Sequence, residues 1–238
     1  MPAVLRVVPF AIVLSQLATV LLGCRSITAH DLEALFEATS LPVAGPVQAR
    51  DLLRLHPTSG TFIVTVNSRP ALRASYTLVP QDGGMWIETL DRIQITHLQA
   101  SPEGGIDILQ EQALEEAVRV EYRPALPLLP AQLEPGKPVQ SVSQMTVLNL
   151  KDGQVREKGH VTYTVELVGR QRARTPMGPI DCHILNMTRQ IQLQMVSSTV
   201  TVRGAYANQG LMGERQIRDT KVLGLIPVRR EQELRRVR

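Results

Sequence analysis

The chain has 238 residues, a formal net charge of +4 and 20% charged side chains; so mild a basic excess points to no nucleic-acid partner. Hydrophobic residues make up 43%, enough for an ordinary core, but aromatic residues only 3%, with three Phe, one Trp and four Tyr. That is too few for the two aromatic girdles of a membrane-spanning β-barrel.

Residues 1–8 carry one positive charge, Arg6, and residues 7–22 are almost wholly apolar, broken by Pro9, Ser15, Gln16 and Thr19. A basic start followed by such a run is a secretory signal. The run is shorter than the roughly 20 residues that a helical membrane span needs. It ends in Leu21, Leu22, Gly23 and Cys24, which resembles the lipobox of bacterial lipoproteins, where the cysteine is lipidated and becomes residue one. Leu22 is bulkier than the usual occupant of its place. The chemistry needs a thiol to carry the thioether and a small residue before it for the peptidase, and Gly23 and Cys24 supply both. The competing readings are an ordinary secretory signal or an uncleaved anchor helix; charge, run length and the Gly-Cys placement favour lipidation. The resemblance implies cleavage before Cys24 and acyl chains that hold the protein on a membrane. Arg25 stands where lipoproteins kept at the inner membrane of enteric-type bacteria often carry Asp, which implies the outer membrane, facing the periplasm.

Removal of residues 1–23 leaves 25 basic against 22 acidic side chains. The expected organisation is a signal peptide over 1–23, a lipid-anchored tether with short helices over 24–58, and a β-rich domain over 59–238. In the tether, Leu32, Leu35 and Phe36 fall at helical spacing behind Asp31, and Val47, Leu52, Leu53 and Leu55 do so after Pro46. Beyond Thr58 the period becomes two. Phe62, Val64 and Val66 alternate with polar residues, as do Val118, Val120 and Tyr122; over 160–167, Val161, Tyr163, Val165 and Leu167 share one face. These are strands with one wet face. Further on, Ile191, Leu193 and Met195 alternate with Gln190, Gln192 and Gln194, and a turn is expected at Ser197 and Ser198. Turn signals also fall at 81–84, 102–105, 151–153 and 177–179.

Roughly ten strands in meandering order, with few helical patterns, predict a mainly all-β fold: an antiparallel curled sheet, as a half-open barrel or a β-sandwich, with minor N-terminal helices. The stretch 124–138 holds Pro124, Pro127, Pro130, Pro135 and Pro138 and is unsuited to a central strand. It is expected to join two sets of strands, within one domain or between subdomains. Residues 175–182 and 205–212 resemble the T-P-x-G-x-(F/I) turn and the Y-A-x-x-x-G-L stretch of uncharacterised β-rich bacterial envelope proteins, within a match over 162–233. That resemblance implies kinship with the half-barrels that carry lipoproteins and lipids across the periplasm.

Catalytic chemistry is not written in the sequence. His30, His56, His97, His160 and His183 stand far apart with no metal-ligand spacing, and no nucleophile elbow or phosphate-binding loop occurs. No metal, cofactor or nucleic acid is expected. With Cys24 lipidated, Cys182 has no partner in the chain and is expected to be buried and inert. Glu115 and Glu116 read as solvent-facing, and the arginines at 229, 230, 235, 236 and 238 as a solvated strand face. For an envelope lipoprotein two function classes compete, with an envelope enzyme lacking a recognisable motif as a further alternative. Either Phe62, Tyr163, Leu193, Met195 and Tyr206 line a groove for an acyl chain or other apolar ligand, or they fill a closed core and the sheet binds an envelope protein.

Overall fold

The computed structural model describes residues 36–43, 45–67, 69–175 and 178–237; the lipobox residues Leu21, Leu22, Gly23 and Cys24 lie outside them. In chain order the elements are β1 (Phe36–Leu41), β2 (Val47–Gln48), a single helical turn α1 (Ala49–Leu52), β3 (Thr58–Val66), β4 (Leu72–Pro80), β5 (Met85–Leu90), β6 (Gln94–Ala100), β7 (Ile106–Ala113) and β8 (Val118–Leu129). They continue with β9 (Gln132–Leu133), β10 (Val139–Asn149), β11 (Val155–Thr175), β12 (Gly178–Leu193), β13 (Val196–Ala207), β14 (Gly210–Val222) and β15 (Ile226–Arg236).

The expected mainly β, antiparallel fold is present, and its curl runs to completion. The ring order is β11, β10, β8, β7, β6, β5, β4, β3, β15, β14, β13, β12, and β12 pairs back onto β11. The result is a closed barrel of 12 antiparallel strands. Closure satisfies backbone groups that an open sheet would leave bare. Period-two patterning drives it, because each apolar face must be hidden and a closed sheet hides all of them at once. Val161, Tyr163, Val165 and Leu167 of β11 are each 1% exposed or less. Around the ring they face Phe62 and Val64, Tyr76 and Leu78, Leu98, Ile108 and Tyr122 in one buried cluster.

One end of the barrel is sealed. Val47 and Gln48 pair with Leu133 and Gln132, and the Ala49 amide donates to the Ala131 carbonyl at 3.0 Å. This seats Ala49, Leu52, Leu53 and Leu133 in the cluster with Leu126 and Leu129. The segment read as tether therefore supplies part of the core. Its helices are shorter than the spacing predicts. Residues 31–35 lie outside the described set, and Phe36–Leu41 is a strand because β11 outruns β10 and offers a free edge at residues 170–173. After Pro46 only one helical turn forms, ended by the extended backbone of Leu53, with Pro57 close downstream.

The strands on both sides of the proline-rich stretch belong to the same barrel. β8 runs through Pro124 and Pro127, but its pairing with β10 stops at Arg123. Beyond it only β7 remains a partner, which suits residues that cannot donate to a ladder. On that side the Tyr163 hydroxyl donates to the Leu128 carbonyl at 2.9 Å.

Candidate binding chamber

The six hairpin turns at the end opposite the seal include 114–117, which joins β7 to β8, and 194–195, which joins β12 to β13. Glu116 there accepts from Arg218 of β14 at 2.9 Å, and Glu115 from Arg230 of β15 at 2.8 Å. Around the closed wall five strands separate β7 from β14 in either direction, β6, β5, β4, β3 and β15 one way and β8, β10, β11, β12 and β13 the other. The two ion pairs therefore tie opposite walls together across the mouth. Glu115 and Glu116, read as solvent-facing, keep about half their surface but are partnered. The C-terminal arginines split as well, since period-two geometry sends neighbours to opposite faces. Arg230 and Arg236 point inward, and Arg229 points outward to Asp219 and Glu231. Arg238 lies outside the described residues.

Between mouth and seal, register fixes which side chains look inward. Leu78 pairs with Glu88, Glu88 with Thr96 and Thr96 with Glu111, so both glutamates share the inner face with Leu78. Tyr163 pairs with Arg189, Arg189 with Val200, and Gly204 with Glu214. All four tyrosines of the chain, Tyr76, Tyr122, Tyr163 and Tyr206, sit in this interior and are 7% exposed or less. A β-carbon on Gly204 would come within 2.7 Å of the Tyr206 ring, so glycine there makes room for the ring against the wall.

Three carboxylates and one guanidinium meet in this space. Arg189 donates to both oxygens of Glu111 at 2.9 and 2.8 Å, and its guanidinium lies 5.8 Å from the centre of the Tyr163 ring. Tyr122 donates to Glu111 at 2.6 Å, and Tyr76 to Glu88 at 3.0 Å. Burial opposes the charge on Arg189, yet Glu111 and the tyrosines hold the guanidinium firmly protonated. Glu214 is different. Its carboxylate makes no hydrogen bond or ion pair among the described residues, nor does the Tyr206 hydroxyl beside it. Burial pushes its pKa up to about 7, with Arg189 pulling it back and Glu88 and Glu111 adding to the rise. Burial, and then Glu111, also raise Glu88 against its bond from Tyr76.

Glu88, Glu111, Arg189 and Glu214 face inward from four strands of the closed ring, yet each keeps accessible surface. The Arg189 and Glu111 side chains are 21% and 12% exposed. Groups that are surrounded but still accessible border a space inside the barrel. A chamber thus lies above the apolar seal; Glu88, Glu111 and Glu214 outnumber Arg189 and the inward Arg236 near Tyr76, so the excess charge is negative when all are ionised.

The residues singled out from the sequence divide. Phe62, Tyr163 and Tyr206 share the buried cluster, Phe62 meeting Tyr76 edge-on at 5.4 Å. Leu193 is partly buried against that cluster near the mouth. Met195 belongs to neither core nor chamber. The chain turns at 194–195, three residues earlier than expected, so Met195 is at the hairpin tip and 54% exposed, while Ser197 and Ser198 are in β13. Cys182 is buried in a small second cluster with Ala173, Ile184 and Ala205, and burial and then Asp181 push its thiol up to about 12. Sequence reasoning missed Glu88, Glu111, Arg189 and Glu214. The available signal was a charged residue at an inward phase, such as Arg189 in step with Leu185, Met187, Ile191 and Leu193.

The outer wall carries Arg203, Arg215, Asp219, Lys221 and Arg229, all exposed, and a face so charged cannot lie in hydrocarbon. No helix among the described residues is long and apolar enough to cross a membrane. No protein-family model matches the chain, and no curated protein matches it. Among solved structures it is similar to the crystal structure of the hypothetical lipoprotein YmcC from Escherichia coli K12, with 12% identity over 78% of this chain and 90% of that one, at a TM-score of 0.43.

Proposed function

We propose that this chain is a cell-envelope lipoprotein, held on the outer membrane by acyl chains on Cys24, whose barrel binds a small polar molecule in its interior chamber without covalent chemistry. The observation that carries the reading is the enclosed space bordered by Glu88, Glu111, Arg189, Glu214 and Tyr206. Buried polar groups are ordinarily paired, and unpaired ones facing a space are recognition groups in wait of a partner. The sealed, filled apolar half argues against carriage of an acyl chain. Closure of the ring argues against strand addition as the main mode of binding a partner, since it removes most of the edge that mode requires.

Two measurements on the full chain test this. An alkynyl fatty acid fed to a bacterial host should label the wild type and leave Cys24→Ser unlabelled; an unlabelled wild type sinks the anchor. Native mass spectrometry of the detergent-released protein should show an added small-molecule mass that is lost on unfolding. A bare mass from several growth conditions would remove the chamber's role.

A further inference from the structure

The chemistry of the chamber narrows what it takes, if it is the binding site as argued above. Glu111 is spoken for by Arg189 and Tyr122, and Glu88 already accepts from Tyr76. Left over are the Glu214 carboxylate, which once ionised can accept but not donate, and the Tyr206 hydroxyl. Both are enclosed, unpartnered among the described residues and close enough to feel one another's charge. The excess charge is negative, so an anion would add to the repulsion, and an uncharged ligand would leave the carboxylate uncompensated. No group of three or more His, Cys, Asp or Glu positioned to hold a metal ion occurs among the described residues, which directs the choice to an organic cation. A planar guanidinium asks for a bidentate acceptor, whereas a compact ammonium offers three donors that can be shared between separate oxygens.

We infer that the chamber binds an aliphatic primary ammonium group, its N–H donors directed at the Glu214 carboxylate and the Tyr206 hydroxyl, with Glu88 close by. The apolar remainder of the ligand would rest on the buried cluster below, against Leu78 and Val202. Arg189 does not repel it strongly, because Glu111 neutralises that guanidinium at hydrogen-bond distance.

The test is calorimetric titration of the full lipidated chain in non-ionic detergent with butylammonium, and with butan-1-ol as the uncharged counterpart. Butylammonium keeps its charge throughout the range used, so any pH dependence belongs to the protein. It should bind more tightly at about pH 8.5 than at about pH 5.5, following ionisation of Glu214. Glu214→Gln, which keeps the shape and can still fold, should weaken it at least about tenfold and flatten that pH dependence. Butan-1-ol binding the wild type as tightly as butylammonium does would overturn the ammonium inference while leaving the chamber a binding site. Butylammonium binding that ignores Glu214→Gln would overturn it too. If neither compound binds, the inference fails, and the chamber's role then rests on the native mass spectrum alone.

Discussion

At the residue scale, Glu214 couples the chamber to stability. In the unfolded chain its carboxyl titrates near its ordinary value of 4.5, and in the fold at about 7. Between those values the folded protein keeps a proton that the unfolded chain has lost, so stability falls as pH rises through that window and the penalty is complete above it. A shift of this size corresponds to up to about 3 kcal/mol. Glu214→Gln should therefore be more stable than the wild type in urea at about pH 8 and match it at about pH 4. A wild type whose advantage or deficit against the variant did not change with pH would show that Glu214 is not enclosed. Residues of this kind were poorly legible. Alternation told which side of β11 faces the core, because Val161, Tyr163, Val165 and Leu167 are all apolar, but it took every inward position to be apolar. Glu88 lies between Trp86 and Leu90 in phase, and nothing local marks it as enclosed until the opposite wall brings Tyr76 and Glu111 to it.

At the scale of elements, the short segments carry unexpected weight. α1 has four residues and no side-chain cap, too short to be stable alone, yet Leu52 is fully buried and Leu53 nearly so. It is held by the pairing of β2 with β9 and by the Ala49 amide on Ala131. Leu52→Ala should cost about 2–5 kcal/mol on chemical unfolding, and a cost below about 1 kcal/mol would mean that the seal does not belong to the core. The sequence pattern placed Leu52 and Leu53 at helical spacing but assigned them to a tether, because a single turn shows no amphipathic face long enough to reveal what it covers. The prolines were read correctly in chemistry and incompletely in place. They are unsuited to a strand with two partners, and β8 accommodates Pro124 and Pro127 by giving up β10 after Arg123. The β12–β13 hairpin shows the opposite case, where the paired serines suggested a turn that the chain makes at 194–195 instead. Val200 and Val202 of β13 face inward with either turn, so alternation alone did not place it.

At the scale of the whole molecule, the mainly β antiparallel character was legible because period two recurs through the chain, while closure was not. Whether β12 returns to β11 depends on the twist accumulated over all the strands, which no local pattern encodes. Closure in turn creates the chamber: ion pairs from Glu115 and Glu116 cross to the far wall at one end, α1 stops the other, and charges on β5, β7, β12 and β14 meet between them. The account thus predicts an interior that solvent reaches and that favours cations. Thiol chemistry reads this directly. With Cys182 buried and Cys24 carrying the proposed lipid, a cysteine put in place of inward Gln216, two residues from Glu214, would supply the reactive thiol. Outward, exposed Thr201 replaced the same way sets the intrinsic preference of the reagents. Gln216→Cys should react in the folded protein, and should favour a cationic methanethiosulfonate over its anionic counterpart by more than Thr201→Cys does. A Gln216→Cys that stays unreactive until the protein unfolds, or that shows no added preference for the cation, would contradict a solvent-reached, anionic chamber.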